Sequence, residues 1–339
     1  MTMFRKFFHH WERSIYGDDA DDRRPQAFGW GLENLGDVEL EGTGSELVEV
    51  AAALCAGSEN FYRTKEITGV TFDGTRLAFD SPFPCPDIEV QRVSARLFES
   101  PSAEGRAIVV VPQWNADKGS MVQACNILNH CGFSALRMTL PYHEERRPGY
   151  MVRADAMVSP ILGLTIQSIR RAVVEVRLAV QWLRQRGYRH VGLLGTSLGS
   201  CIGFLALAHD EDLEAAALNH VAGEFADVVW SGLATQHVRA SLDQHIDLET
   251  LRRCWAPISP VHFATRLMKS QPKLLMISGA YDPIFLPAHT QALVDALDKA
   301  NVDFRRVVLP CGHYTLGRPP FYLIDAYLIV RFFRRHLGA

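Results

Sequence analysis

No run in this 339-residue chain reaches the roughly 20 apolar residues needed to cross a bilayer. The nearest candidate, FYLIDAYLIVRFF at 321–333, is interrupted by Asp325 and Arg331. The N-terminus, MTMFRKFFHHWERSIYG, lacks the uninterrupted apolar core and small-residue cleavage site of a secretory signal. A cytoplasmic protein with no obligatory membrane contact is therefore expected. No C-x-x-C pair occurs among the seven cysteines, an odd number that points to free thiols in a reducing compartment. Positive charge is not in excess either. A net charge of −3 argues against nucleic acid or an anionic membrane surface as a partner. Repeats and low-complexity tracts are absent. What is present, 47 % apolar and 22 % charged residues, is the balance of a globular protein with a large core.

Residues 1–88 show little periodicity and read as an N-terminal extension packing on the core. They hold an acidic cluster (Asp18, Asp19, Asp21, Asp22), a glycine-rich stretch from Gly29 to Gly44 and a Pro-rich link, SPFPCPD. A short helix is expected over Glu46–Ala56, and a hairpin at GVTFDGTRLAF, where Asp73-Gly74 is a turn signal. From Ile88 the pattern becomes regular. IEVQRVSARLFE alternates like a half-exposed strand, and RAIVVVP is a continuous apolar run suited to a buried one. A helix over 117–131, the strand FSALRMTLP and a long helix over Thr165–Arg186 follow. The last carries apolar residues at helical spacing: Ile166, Ile169, Val173, Val176, Val180 and Leu183. The strands HVGLLGT, AAALNH, KLLMISG and FRRVVLP then alternate with helices, including one over Pro287–Lys299 and a final one. Alternation of this kind predicts an α/β fold, a mostly parallel central sheet with helices on both faces. Residues 222–262, with Trp230, Trp255 and several histidines, break the rhythm and read as an inserted helical cap. The core is then 89–221 and 263–339.

Within VGLLGTSLGSC, Gly195-Thr196-Ser197-Leu198-Gly199 fits G-x-S-x-G in a strand–turn–helix setting, which suits a nucleophile elbow. An ordinary helix N-cap serine is the alternative. A serine hydroxyl needs a neighbouring base, and the base needs an orienting acid. In folds with such an elbow they follow in the order Ser, acid, His. Asp282 stands just past KLLMISG and His313 just past FRRVVLP, each where its role requires. Singly, Asp282 also reads as a turn residue before proline, and His313 as a structural loop histidine. Jointly the three form a constellation.

From RAIVVVPQW to the final helix the chain resembles an α/β-hydrolase. LRMTLPYHEERRP, GTSLGSC, FADVVW and LPCGHYT resemble a little-characterised bacterial branch, loosely related to the dienelactone-hydrolase and acetyl-esterase groups. The resemblance implies Ser197 as nucleophile, His313 as general base and Asp282 as orienting acid, with no cofactor and no metal. It implies an acyl-enzyme route to carboxylic ester hydrolysis on a small-molecule substrate. Thioester, amide or peptide cleavage and acyl transfer use the same triad, and a hydrolase fold can also bind without turnover.

An oxyanion hole is expected from the backbone N–H of Leu198 and one from Pro112-Gln113-Trp114-Asn115, where many relatives carry His-Gly. Proline cannot donate, which leaves Trp114, then Gln113; Trp114 equally suits a wall of the acyl pocket. PYHEERRP follows a strand at its carboxyl end and is expected to overhang the site, with Tyr142, His143, Glu144, Arg146 and Arg147 available to a polar or anionic substrate. A solvated, salt-bridged loop is the other reading. His143-Glu144 lacks the second histidine of a zinc helix. His220 ends a strand near the elbow and is either a pocket residue or a structural histidine. RFFRRH at 331–336 fits a helix C-terminus complementing its dipole, with peripheral membrane contact as the alternative. The long N-terminal extension leaves a homo-oligomer open.

Overall fold

The computed structural model describes residues 3–17, 23–36 and 43–338. The acidic cluster at 18–22 and part of the glycine-rich stretch lie outside them. Nine strands form one sheet: β1 (Thr71–Phe72), β2 (Arg76–Asp80), β3 (Arg92–Phe98), β4 (Arg106–Val111), β5 (Ser134–Thr139), β6 (His190–Thr196), β7 (Leu213–Asn219), β8 (Lys273–Gly279) and β9 (Phe304–Leu309). Their order is β1-β2-β3-β5-β4-β6-β7-β8-β9. β5, β4 and β6 to β9 run parallel, while β1, β2 and β3 join antiparallel at one edge.

The apolar run of β4 shows why the centre is buried. Ala107, Val109 and Val111 pack on one face, and Ile108 and Val110 on the other, each fully inaccessible. The helices Leu162–Gln185 and Leu198–His209 cover the first face. Val122–His130 and Phe321–His336 cover the second, which also receives Phe8 of the N-terminal helix Met3–Gly17. Residues 222–262 contain the helical segments Phe225–Ser231, Gln236–Leu242 and Leu248–Cys254. None of the described helices is long and apolar enough to cross a membrane.

Three expectations are corrected. The hairpin expected around Asp73-Gly74 is present as β1 and β2, but the regular sheet starts with it and not at Ile88, because β2 bonds to β3 through five residue pairs and so extends the main sheet from Thr71. The extension is therefore not separate from the core sheet. IEVQ at 88–91 is a helical turn before β3. The helix expected over 117–131 begins at Val122, since Asp117 Oδ1 accepts from the N–H groups of Gly119 and Ser120 and closes a turn there.

Candidate active site

Ser197 sits between β6 and the helix Leu198–His209 with φ 56° and ψ −122°, a backbone shape that a side-chain-bearing residue rarely takes. Its N–H donates to Asn219 O at 2.9 Å, which pins the turn to β7. The flanking glycines are there for space. A Cβ at Gly195 would lie 2.4 Å from Gly199 O, and one at Gly199 would lie 2.2 Å from Val111 O. The elbow packs too tightly for any other residue at either position.

His313 lies on the loop after β9 and Asp282 on the loop after β8. His313 Nε2 is 3.0 Å from Ser197 Oγ, and His313 Nδ1 is 2.8 Å from Asp282 Oδ2. An ionised carboxylate only accepts, so Nδ1 carries the proton and Nε2 is left to accept the serine hydroxyl proton. Asp282 Oδ1 is held by the N–H groups of Ile284 and Phe285, each at 2.8 Å. Burial opposes ionisation of Asp282, but the His313 and His220 imidazoles outweigh it and hold the carboxyl below its ordinary value. For His313, burial lowers the pKa while Asp282 raises it, and the net shift is upward. Phe285 stacks on the imidazole, its ring centroid 5.4 Å away at 15°. The three residues that the sequence nominated are thus brought together in hydrogen-bonding order, and a base aimed at a serine can generate an alkoxide-like nucleophile.

His220 is wholly buried beside them, with Nδ1 2.7 Å from Asp282 Oδ2 but outside hydrogen-bond alignment. Burial, then His313, lowers its pKa, so it stands as a neutral neighbour of the pair. His220, Asp282 and His313 also offer ligand atoms within 4.8 Å of one another. A metal ion there would have to take Asp282 away from His313.

The PYHEERRP loop is corrected. It folds inward instead of overhanging the serine. Arg146 is 1 % exposed and binds Glu175 through two hydrogen bonds of 2.7 and 2.8 Å, with further bonds to Thr139 O and Val90 O. Tyr142 is buried with its hydroxyl 3.6 Å from Cys85 Sγ. Neither residue lines the cavity above Ser197, and neither does His143. His143 has a different task. Its Nδ1–H donates to Pro141 O at 2.8 Å, so Nε2 accepts the Asn115 N–H at 2.8 Å. Burial lowers its pKa to about 4 and keeps it in this neutral form. That contact orders the Gln113–Asn115 loop and consumes the Asn115 N–H. The N–H groups of Leu198, Gln113 and Trp114 have no hydrogen-bond partner among the described residues. Trp114 donates its ring N–H to Ala154 O, and its ring stacks over His237.

Structural comparison identifies the fold. The fold superposes on a Pyrococcus horikoshii acylaminoacyl peptidase with a TM-score of 0.60 at 14 % identity, covering 83 % of this chain and 43 % of that one. An esterase from Pyrococcus furiosus gives 0.53 at 11 %, covering 83 % and 94 %. A Mycobacterium tuberculosis puromycin-hydrolyzing peptidase gives 0.57 at 14 %, covering 79 % and 47 %. The chain has the α/β-hydrolase fold. Within it, residues 171–339 match the prolyl oligopeptidase family (peptidase S9), a stretch that contains Ser197, Asp282 and His313. The chain spans less than half the length of the two peptidases. No curated sequence is matched.

A half-open cavity lies above Ser197. It measures about 520 Å³ and is walled by apolar side chains of the helix Phe225–Ser231 (Phe225, Val228, Val229) and of the loop after β8 (Ile284, Phe285). One further residue has no signal in the sequence. Glu12 of the N-terminal helix is fully buried and accepts the N–H of Tyr314 at 2.9 Å and of Thr315 at 2.8 Å, directly after His313. A Cβ at Gly312 would stand 2.4 Å from Glu12 Cδ, so the glycine admits the carboxylate. Glu12 also helps to raise the His313 pKa. A single Glu in an aromatic, amphipathic segment carries no local signal for such a long-range contact.

Proposed function

We propose that this serine-type α/β-hydrolase cleaves a carboxylic ester of a small molecule through an acyl-enzyme. The observation that carries it is the hydrogen-bonded series Ser197–His313–Asp282 beneath a capped apolar cavity. His313 takes the Ser197 proton as Oγ attacks the carbonyl. The N–H groups of Leu198 and of Trp114 or Gln113 receive the developing oxyanion, which is where the elbow helix also directs its positive end. His313 returns the proton to the leaving alcohol and then activates water against the acyl-enzyme. A largely apolar space of about 520 Å³ suits a compact acyl group.

Peptide or acyl-amide cleavage is the second reading, favoured by the peptidase S9 match over 171–339. Thioester cleavage, acyl transfer and binding without turnover remain further options for the same residues. Turnover of matched 4-nitrophenyl esters and aminoacyl or peptidyl 4-nitroanilides separates the two main readings. Faster kcat/KM on short esters supports the ester reading. Turnover of the anilides with inert esters would replace it with the peptidase.

A further inference from the structure

One wall of the cavity carries polar atoms that ester cleavage leaves unused. β6 and β7 pair with Thr196 opposite Asn219, so both side chains leave the sheet on the same face. Leu194 and Ala217, two residues earlier on each strand, pack with Ile329 and Phe333, which identifies that face as the one under the helix Phe321–His336. Asp325 of this helix reaches down to it, and Asn219 Nδ2 donates to Asp325 Oδ2 at 2.9 Å. Three atoms are left over. Thr196 Oγ1, Asn219 Oδ1 and Asp325 Oδ1 are buried and have no hydrogen-bond partner among the described residues. All three side chains line the cavity that holds Ser197, amid Ala124, Leu128 and Ile329. A buried polar atom left without a partner costs about 1–3 kcal/mol, and three together on an otherwise apolar wall call for a ligand that uses them.

We propose that Thr196, Asn219 and Asp325 form a subsite for an ammonium group, so that the preferred substrate is an ester whose acyl part carries a primary amine. The proposal rests on the ester reading above and narrows it. The chemistry of the unused atoms selects the ligand. A carboxylate oxygen, an amide oxygen and a hydroxyl oxygen are three acceptors, and an ammonium group brings three donors. One of the acceptors also supplies the balancing charge, which a cation entering an apolar cavity requires. Burial raises the Asp325 carboxyl to about 7, and the Asn219 amide only partly offsets it, as expected of an acid whose counter-charge arrives with the ligand. A hydroxyl group would satisfy fewer of the three atoms and leave the carboxyl uncompensated.

The test compares 4-nitrophenyl esters of graded acyl length that end in ammonium, hydroxyl or methyl, on wild type and Asp325→Asn. At one or more lengths the ammonium ester is expected to exceed its methyl isostere by about tenfold in kcat/KM, chiefly through KM, the worth of one charge-assisted hydrogen bond. That ratio should collapse towards one in Asp325→Asn, and fall partway in Thr196→Val, which guards against a variant that does not fold. A ratio near one at every length, a hydroxyl ester as good as the ammonium ester, or a ratio that survives Asp325→Asn overturns the proposal. Calorimetric titration with butylammonium, against butan-1-ol, reads the subsite without turnover. Butylammonium binding lost in Asp325→Asn, in a protein that cleaves no ester, would keep the subsite and remove the ester reading. Ester cleavage without butylammonium binding would do the reverse.

Discussion

Three loops at the carboxyl ends of parallel strands looked equally functional by composition, and two of them have the opposite fate to the third. The loops after β8 and β9 turn Asp282 and His313 towards Ser197, where His313 Nε2 keeps an accepting position for the serine proton. The loop after β5 is richer in charge and holds Tyr142, His143, Glu144, Arg146 and Arg147. Yet Arg146 spends its guanidinium on Glu175 and two carbonyls, Glu144 on Arg137, and both His143 nitrogens on backbone groups. A polar loop becomes a site only if its groups retain unused hydrogen-bonding capacity facing a cavity. Otherwise the same residues are an internal brace.

The contrast can be broken most decisively at Asp282. Asp282→Asn is expected to lower kcat about 10⁴-fold, because an amide beside Nδ1 favours the wrong imidazole tautomer. Wild-type kcat/KM should rise as His313 loses its proton, with a midpoint above the ordinary 6.5. Removing the carboxylate should bring that midpoint down. A pH profile with the same midpoint in both proteins would contradict the assignment.

Arg146 provides the opposite case. Arg146→Met leaves Glu175 buried and unpaired and should cost about 3–5 kcal/mol of stability, read as a fall in the denaturation midpoint. KM should stay close to that of the wild type. Arg146→Met with Glu175→Leu should recover much of the stability. A specific rise in KM without loss of stability would return this loop to the substrate site.

Glu12 sharpens the comparison from outside these loops. Glu12→Gln places an amide where two backbone N–H groups need acceptors, and should lower kcat/KM by about tenfold with a downward shift of the pH midpoint. Loss of stability with an unchanged midpoint would make Glu12 a packing residue only.

The parts that were legible in the sequence are local or periodic. β4, β6, β7 and β8 announce themselves as apolar runs, and the helix over Pro287–Lys299 coincides with its expected bounds. The grouping of Ser197, Asp282 and His313 was legible because strand order and the glycine-flanked serine constrain where the acid and the histidine fall. The polar row of Thr196, Asn219 and Asp325 was not. Asp325 reads as a break in an apolar helix, and only the β6–β7 register brings it to Asn219. The inward fold of PYHEERRP was equally hidden, since it depends on Glu175 in a helix far along the chain. Glu12 is a third case of the same kind, a contact across some 300 residues with no periodic trace.

The most direct test of the central claim is covalent labelling with a fluorophosphonate, followed by intact mass, on wild type, Ser197→Ala and His313→Ala. A single adduct on the wild type that is missing from Ser197→Ala and strongly slowed in His313→Ala is the expected result. A folded wild type that takes no adduct, or an adduct that persists in Ser197→Ala, would contradict an activated serine at the elbow.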